Sequence, residues 1–491
     1  MVRRPASVLI LDFDKPNGSS PQPLVVRVES RIRSAIMSGS LAPGSRLPSS
    51  RILAQDLKVS RHTVEWAFTQ LQAEGFVIRR RGSGTFVARD IPEREQPPEA
   101  PLRRARPPLQ ATLSRRGAVM ASFPGFPEPL IGRAFIPSIP AVELFPRQIW
   151  QRLVGRALQR PGMTGWAYGP TGGLPELREA IAAHVSGTRG VVCAPDQVVI
   201  VSSGHQAIDL AARILLDPGD TVWVENPCYP TATRLFRAAD AEVVPVPVDQ
   251  EGFDVAAARA INPQARLAYV TPSHQYPTGA HMPLARRTAL VDWAEREQSW
   301  IIEDDYDGDF RYAGRPLAAL QALDSAGRVL YLGTFNKMMF PGLRLAFLVV
   351  PPGLIDASLG AKHTMDAFAP GHTQAALAEF IREGHLATHL RRLVVEYDRR
   401  RRALLAALET VSDELEVGHS EGGMHLTVYL RRPLDERAIV ERCGASGVTL
   451  SGLSRFYQGC PRHGFVLGFA CASPPRIHAA MRTVAQQLRK A

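Results

Sequence analysis

Cysteine is scarce in this chain. The five present, Cys193, Cys228, Cys443, Cys460 and Cys471, are odd in number and share no metal-type spacing. That argues against a disulfide framework and a cysteine-built metal centre, and predicts free thiols in a reducing compartment with no bound metal. Long apolar runs are missing too, and none reaches the length a membrane helix needs, so no membrane partner is expected. Near the start only Val8–Leu11 is apolar before Asp12, too short for the core of a signal peptide. The expected location is therefore the cytoplasm. No internal repeat is present.

What the chain has is an uneven distribution of charge. Of the net +11, residues 1–90 carry +7, with 14 Lys and Arg against 7 Asp and Glu. Residues 91–116 add +3, and the remaining 375 residues carry only +1. A basic module on a near-neutral body is the electrostatic footprint of a nucleic-acid-binding head. At 491 residues the chain exceeds one ordinary domain. Its 45% hydrophobic and 21% charged residues are the balance of a soluble globular protein.

Between Arg89 and about Pro129 the periodicity is lost. Pro92, Pro97, Pro98, Pro101, Pro107 and Pro108 are interspersed with Arg and Glu. Such a stretch cannot bury a core and predicts an extended tether over 89–129, separating a head at 1–88 from a body at 130–491. In the head, Val25, Val28, Ile32 and Ile36 share one side of a helix from Leu24 to Ser38. Ser49 or Ser50 caps a second helix to about Leu57, and Ser60 caps a third over Arg61–Glu74. Phe76–Arg80 and Gly84–Ala88 then alternate around a hairpin tip, Arg81-Gly82-Ser83-Gly84.

The body alternates helices with short β-branched runs. Val198–Ser202, Thr221–Glu225, Glu242–Val246, Leu267–Thr271, Trp300–Asp304, Val329–Gly333 and Arg344–Val350 are the expected strands. They predict an α/β fold with a mostly parallel buried sheet over about 165–352, followed by a smaller α+β domain over about 353–491.

Three helices and a hairpin describe a winged helix-turn-helix, whose third helix enters the major groove by its N-terminal residues. Arg61 suits guanine, His62 stands beside it, and Ser60, Thr63 and the Ser49-Ser50-Arg51 turn suit phosphates. Arg81, Gly82, Ser83 and Gly84 form the wing tip, where small residues let backbone approach backbone. A helical dimerisation module would share this spacing. The motifs themselves favour DNA: Pro43-Gly-Ser-Arg-Leu-Pro-Ser-Ser-Arg51, Val59-Ser-Arg-His-Thr-Val64, Leu71-Gln-Ala-Glu-Gly75 and Gly82-Ser-Gly-Thr-Phe-Val87. In that order they resemble the GntR-type winged helix over about residues 24–88. The family often has Asn where this chain has His62.

A second constellation surrounds Gly333-Thr-Phe-Asn-Lys337 and Pro341-Gly-Leu-Arg344. A Schiff-base cofactor needs an amine, a carboxylate opposite its pyridine nitrogen and donors for its phosphate. Lys337 supplies the amine, and Asp304 at the end of one expected strand supplies the carboxylate. Ser202-Ser203-Gly204-His205 precedes a helix whose N-terminus suits an anion, and Thr334 and Arg344 flank the lysine. Tyr229, after Asn226-Pro227-Cys228, can stack on the ring. In an open α/β sheet such strand ends converge on one crevice.

With His274-Gln-Tyr-Pro-Thr-Gly279, these elements resemble the aminotransferase class I fold as it occurs in MocR/GabR-type regulators. The resemblance spans nearly the whole chain. It implies pyridoxal 5'-phosphate as cofactor, Lys337 as its Schiff-base lysine, Asp304 at the pyridine nitrogen and Tyr306 near the ring hydroxyl. It places Ser203, Gly204, His205, Thr334 and Arg344 around the phosphate. It also implies a fold type I domain, operator DNA as a partner, and a head-to-tail homodimer in which each head docks on the partner's large domain.

Two positions depart from the pattern. Asn336 stands where Ser is usual. Val466, in Phe465-Val-Leu-Gly-Phe-Ala470, stands where aminotransferases commonly have an arginine that grips the substrate carboxylate. Without it an amino-acid substrate loses a bidentate anchor; Arg455 and Arg462 are the nearby candidates to replace it. The expected function is a transcription regulator whose pocket senses an amine, an amino acid or pyridoxal phosphate itself, without physiological turnover. A working aminotransferase and a site that has lost its cofactor are the alternatives.

Overall fold

Serine side chains set the helix starts of the head. Ser49 Oγ accepts from Ile52 N at 3.3 Å to open the helix Ser50–Asp56, and Ser60 Oγ accepts from Thr63 N at 3.1 Å to open Arg61–Ala73. Both satisfy donors that a helix N-terminus otherwise leaves bare. The first helix, Leu24–Met37, buries Val28, Ile32 and Ile36 against Val64, Phe68 and Leu71, while Val25 is half-buried. Strands β1 (Val77–Arg80) and β2 (Gly84–Val87) pair antiparallel, with Val77 opposite Val87 and Arg80 opposite Gly84.

This computed structural model describes residues 23–80, 82–90, 112–122, 133–160, 166–313 and 318–490. The chain divides into two units, Met1–Ala111 and Thr112–Ala491. Arg81 and most of the expected tether lie outside the described residues. The tether's C-terminal part differs from expectation. A helix over Arg115–Ala121 is capped by Ser114, and Arg115 pairs with Asp240 at 2.9 Å while Arg116 Nε donates to Ala238 O at 2.7 Å. It buries none of its residues. A cap and two arginines hold it on the helix Pro230–Ala238, so no apolar periodicity announces it.

All seven expected strands of the body form one sheet. They are β3 (Val198–Val201), β4 (Thr221–Asn226), β5 (Glu242–Pro247), β6 (Leu267–Val270), β7 (Trp300–Asp305), β8 (Val329–Thr334) and β9 (Ala346–Val349). Their order is β3-β9-β8-β7-β6-β4-β5, with β9 antiparallel to both neighbours and the other pairs parallel. Helices cover both faces, which is why runs such as Val198–Val201 are apolar at every position instead of alternating.

The smaller sheet joins β10 (Leu415–Val417), β11 (His425–Leu430), β12 (Ser451–Gly452) and β13 (Gly464–Gly468) in the antiparallel order β10-β11-β13-β12. The helix Ile355–Asp366 lays Ile355, Leu359 and Met365 on the core that backs β3, β4 and β8. Among the described residues no helix is long and apolar enough to cross a membrane.

One close contact tests the packing of the central sheet. A Cβ on Gly333 would fall 2.2 Å from Cζ of Phe347, its cross-strand partner, whose ring lies over the glycine. Gly187, in the helix Pro175–Arg189, has open space around it. Gly333→Ala is expected to destabilise the protein by about 1–3 kcal/mol through overpacking. Gly187→Ala should instead stabilise it by about 0.5–1 kcal/mol. Equilibrium denaturation of the full chain reads both signs.

Candidate functional site

The parallel strands deliver polar residues to one edge of an otherwise apolar sheet. β7 ends in Asp304 and Asp305, β8 ends in Thr334, and β3 leads through Ser203 into the helix Gly204–Leu215. Lys337 sits in the short helix Phe335–Met338 directly after β8, and its Nζ donates to Ser138 O at 2.8 Å. Burial pulls its amine down to about 8, while the carboxylates of Asp307 and then Asp304 oppose that shift. Asp304 shares the environment. Tyr269 Oη donates to its Oδ2 at 2.6 Å, yet burial raises the carboxyl to about 7.

Three aromatic rings wall the pocket. Tyr276 meets Tyr229 edge-on at 5.9 Å and Tyr306 at 5.6 Å between centroids. His205 Nε2 is 2.6 Å from Tyr229 Oη. Burial, then the charges of Arg344, Lys337 and Arg234, hold the His205 imidazole below its ordinary value. Ser203 Oγ accepts from Gln206 N at 3.3 Å, and Thr334 Oγ1 accepts from Asn336 N at 3.2 Å. Thr334 lies opposite Ala346 in the β8–β9 ladder, two residues after Arg344, which adopts a left-handed conformation with φ +53°. Leu332 of β8 would touch a Cβ on Gly204 at 3.7 Å. The eight expected side chains and Gly204 are thus drawn to one edge of the sheet. The Asn336 Oδ1 atom is buried without a partner, which leaves a polar contact for a ligand to make.

Val466 is buried with Tyr276, Leu453 and Phe456, and Tyr229 and Tyr306 pack against that cluster. An apolar side chain therefore adjoins the aromatic wall. Neither nearby arginine is idle. Arg462 lies 3.8 Å over the ring of Tyr429, and Arg455 lies 5.5 Å over Phe456.

Other polar residues of the site were not singled out by spacing. Tyr269 lies inside an apolar four-residue strand, and a buried phenol needs a partner, which is the one signal that pointed to it. Glu225 is buried without a cation. It accepts from Thr271 N, Thr271 Oγ1 and Gln275 Nε2, and burial raises it to about 7. That carboxyl fixes the loop carrying His274 and Tyr276. His274 joins Tyr306 and Asp307, with His425 beside them.

In the head, Arg51, Arg61, His62, Gly82, Ser83 and Gly84 are exposed and Thr63 is half-buried. Ser50 is buried and accepts from Arg61 Nε at 3.4 Å, so it supports the arginine. Arg79 is tied to Glu65 at 3.0 Å.

Comparison with known proteins separates the same two units. Residues 24–87 match the bacterial regulatory proteins of the gntR family, and residues 152–457 match aminotransferase class I and II. The chain is 37% identical to the probable rhizopine catabolism regulatory protein MocR of Rhizobium meliloti, over 97% of this chain and 95% of that protein. It is 30% identical to the HTH-type pyridoxine biosynthesis transcriptional regulator PdxR of Corynebacterium glutamicum, over 92% of this chain and 93% of that protein. The multiple substrate aminotransferase of Thermococcus profundus is similar in structure with a TM-score of 0.70 and 27% identity, covering 77% of this chain and 97% of that chain.

The depressed Lys337 amine has a direct test. Reductive labelling of the cofactor-free protein with a small aldehyde should modify Lys337 with a midpoint near pH 8. The protonated amine below that pH does not attack, whereas an exposed lysine titrates at about 10.4. Peptide mapping across pH checks it, and a midpoint near that of the exposed lysines counts against a desolvated site.

Proposed function

Because this chain belongs to the MocR/GabR group of gntR-family regulators, we propose that the pocket around Lys337 senses a small ligand and thereby controls operator binding. The group joins a DNA-binding gntR-type head to an aminotransferase domain whose cofactor is pyridoxal phosphate. The residues present fit that cofactor: a desolvated amine, a buried carboxyl near it, a helix N-terminus opened by Ser203, and an unpartnered Asn336 amide. Bound pyridoxal phosphate supplies an electrophilic carbonyl carbon and an electron-withdrawing ring.

The protein's own part is to hold and poise. Lys337, its amine lowered to about 8 by burial, offers that amine for the covalent link. Asp304, held by Tyr269, retains a proton at the pyridine nitrogen. Ser203, Gly204, His205, Thr334 and Arg344 receive the phosphate, where the helix dipole and the Arg344 charge add to backbone donors. Tyr229 and Tyr306 bound the ring. The observation that carries sensing over turnover is Val466. With a buried valine against the aromatic wall, a substrate carboxylate has no guanidinium there to bind it. The ligand is an amine, an amino acid anchored elsewhere, or pyridoxal phosphate itself. A working aminotransferase is the second reading, favoured by the Lys337–Asp304 pair.

In the head, Arg61, His62 and Thr63 meet the major groove, with Ser49, Arg51 and Ser60 toward the backbone and residues 81–84 as the wing. A cytoplasmic head-to-tail homodimer presents two such heads to two half-sites. Ligand binding redistributes head arrangements only if it favours one of them.

Footprinting on the DNA beside the protein's own gene, with and without pyridoxal phosphate and a panel of amines, tests the proposal. Arg61→Ala should weaken specific binding by about 10-fold to 100-fold, the scale of one bidentate base contact. Lys337→Ala should bind DNA but lose the ligand response. A ligand response that survives Lys337→Ala, or sustained amino-acid turnover independent of DNA, would overturn it.

A further inference from the structure

Next to Lys337 lies a buried group of three residues that the proposed sensing role does not yet use. His274 Nδ1 stands 2.9 Å from Tyr306 Oη and 3.1 Å from Asp307 Oδ2. A single ring nitrogen serves both neighbours, and it carries either a proton or a lone pair. An ionised Asp307 only accepts, so it requires the proton on Nδ1. Tyr306 oxygen then lies beside an N–H, and its own hydrogen must point elsewhere. If Nδ1 carries the lone pair instead, the phenol donates to the imidazole. Asp307 therefore decides which way the Tyr306 hydroxyl points.

The surroundings support a neutral imidazole and a poised acid. Burial, with His419 and Arg311 adding to it, lowers His274 to about 3. Burial raises Asp307 to about 7, against the pull of His425 and Lys337. Among the charges acting on the Lys337 amine, Asp307 comes before Asp304. Asp305, Asp309 and Tyr312 also act electrostatically within this group, and His281 and Arg189 line the small space behind it.

The small domain closes over the same atoms. A Cβ on Gly423 would lie 2.0 Å from His274 Cε1 and 2.7 Å from Asp307 Oδ2, and its φ is +70°, so only glycine fits there. His425, at the start of β11, places its ring 5.0 Å from that of His274 and sets Nε2 3.0 Å from Pro277 O. These contacts cross from one domain to the other.

We propose that Asp307 and His274 are positioning residues that set the donor direction of Tyr306 and counter the charge at Lys337, and that through Gly423 and His425 they report the pocket's state to the small domain. The inference rests on Lys337 being the cofactor's anchor. A metal ion is the competing use, because His274, Asp307 and His425 bring ligand atoms within 4.8 Å of one another. The relay is favoured because His274 Nδ1 is already shared between Tyr306 and Asp307, and because Arg189 and Arg311 line the adjoining space.

The test uses the full chain loaded with pyridoxal phosphate and follows the visible band of the lysine-bound cofactor across pH. Asp307→Asn removes a carboxylate that acts electrostatically on Lys337 and sets the direction of the Tyr306 hydroxyl, so the protonated form loses support and the midpoint should fall by at least about one pH unit. His274→Gln should shift it in the same direction, and Asp307→Glu should restore much of it. Tyr306→Phe should shift the wild-type midpoint and shift it less in the Asp307→Asn background, because part of the acid's effect is the direction it gives the phenol. An unchanged midpoint in both Asp307→Asn and His274→Gln, with unaltered denaturation, overturns the relay alone. Should Asp307→Asn not fold, additive effects of His274→Gln and Tyr306→Phe overturn it equally. One equivalent of a divalent transition metal in the purified protein, with a band that moves on chelation, also overturns it. Absence of any visible band removes both the relay and the anchor role of Lys337.

Discussion

An amine and two carboxyl groups withdrawn from bulk water into one neighbourhood are the constraint on which the rest of this structure depends. Lys337 and Asp304 are half-buried and Asp307 is buried, and desolvation shifts each toward neutrality. An isolated charge at such depth is expensive, and a pair is tolerated only where hydrogen bonds complete it. Tyr269 does so for Asp304 and His274 for Asp307. The central sheet is the means of assembly, because parallel strands end together and their last residues face one crevice.

The cost of that arrangement is visible behind the pocket. Glu225 and Glu303 are buried acids without a bonded cation; Glu225 is satisfied by amide and hydroxyl donors, Glu303 by the backbone amides of Leu320 and Gln321, and each is raised to about 7. Asp305 is held instead by Arg189 at 2.7 Å and by Tyr331 Oη at 2.8 Å. Each of these acids depends on its donors, since a lost donor strands a buried polar group. The small domain meets that framework through Gly423 and His425.

Much of this was legible in order along the chain. The head's three helices and hairpin follow from serine caps, glycine stops and apolar spacing, and the seven strands from short β-branched runs between helices. Lys337, Asp304, Thr334 and Arg344 stood out because they occupy the ends of those runs. The helix Arg115–Ala121 was not legible, because it rests on a cap and two arginines and buries nothing. The packing of the helix Ile355–Asp366 was not legible, because its apolar face does not say which core it will meet. The hydrogen bond from Arg61 to Ser50 was not legible either, because it joins two helices.

The sequence by itself determined the two-part architecture, the strand set and the residue types that a Schiff-base cofactor needs, since these depend on local periodicity and on motif order. Only the tertiary structure decided that Lys337 is partly desolvated in the field of Asp307 and Asp304, and that Val466 adjoins the aromatic wall. It alone joined His274 to Tyr306 and Asp307. The physical reason is the same throughout. Proton affinity and hydrogen-bond direction depend on burial and on neighbours brought from distant segments, and neither is a property of a residue in its own stretch of chain.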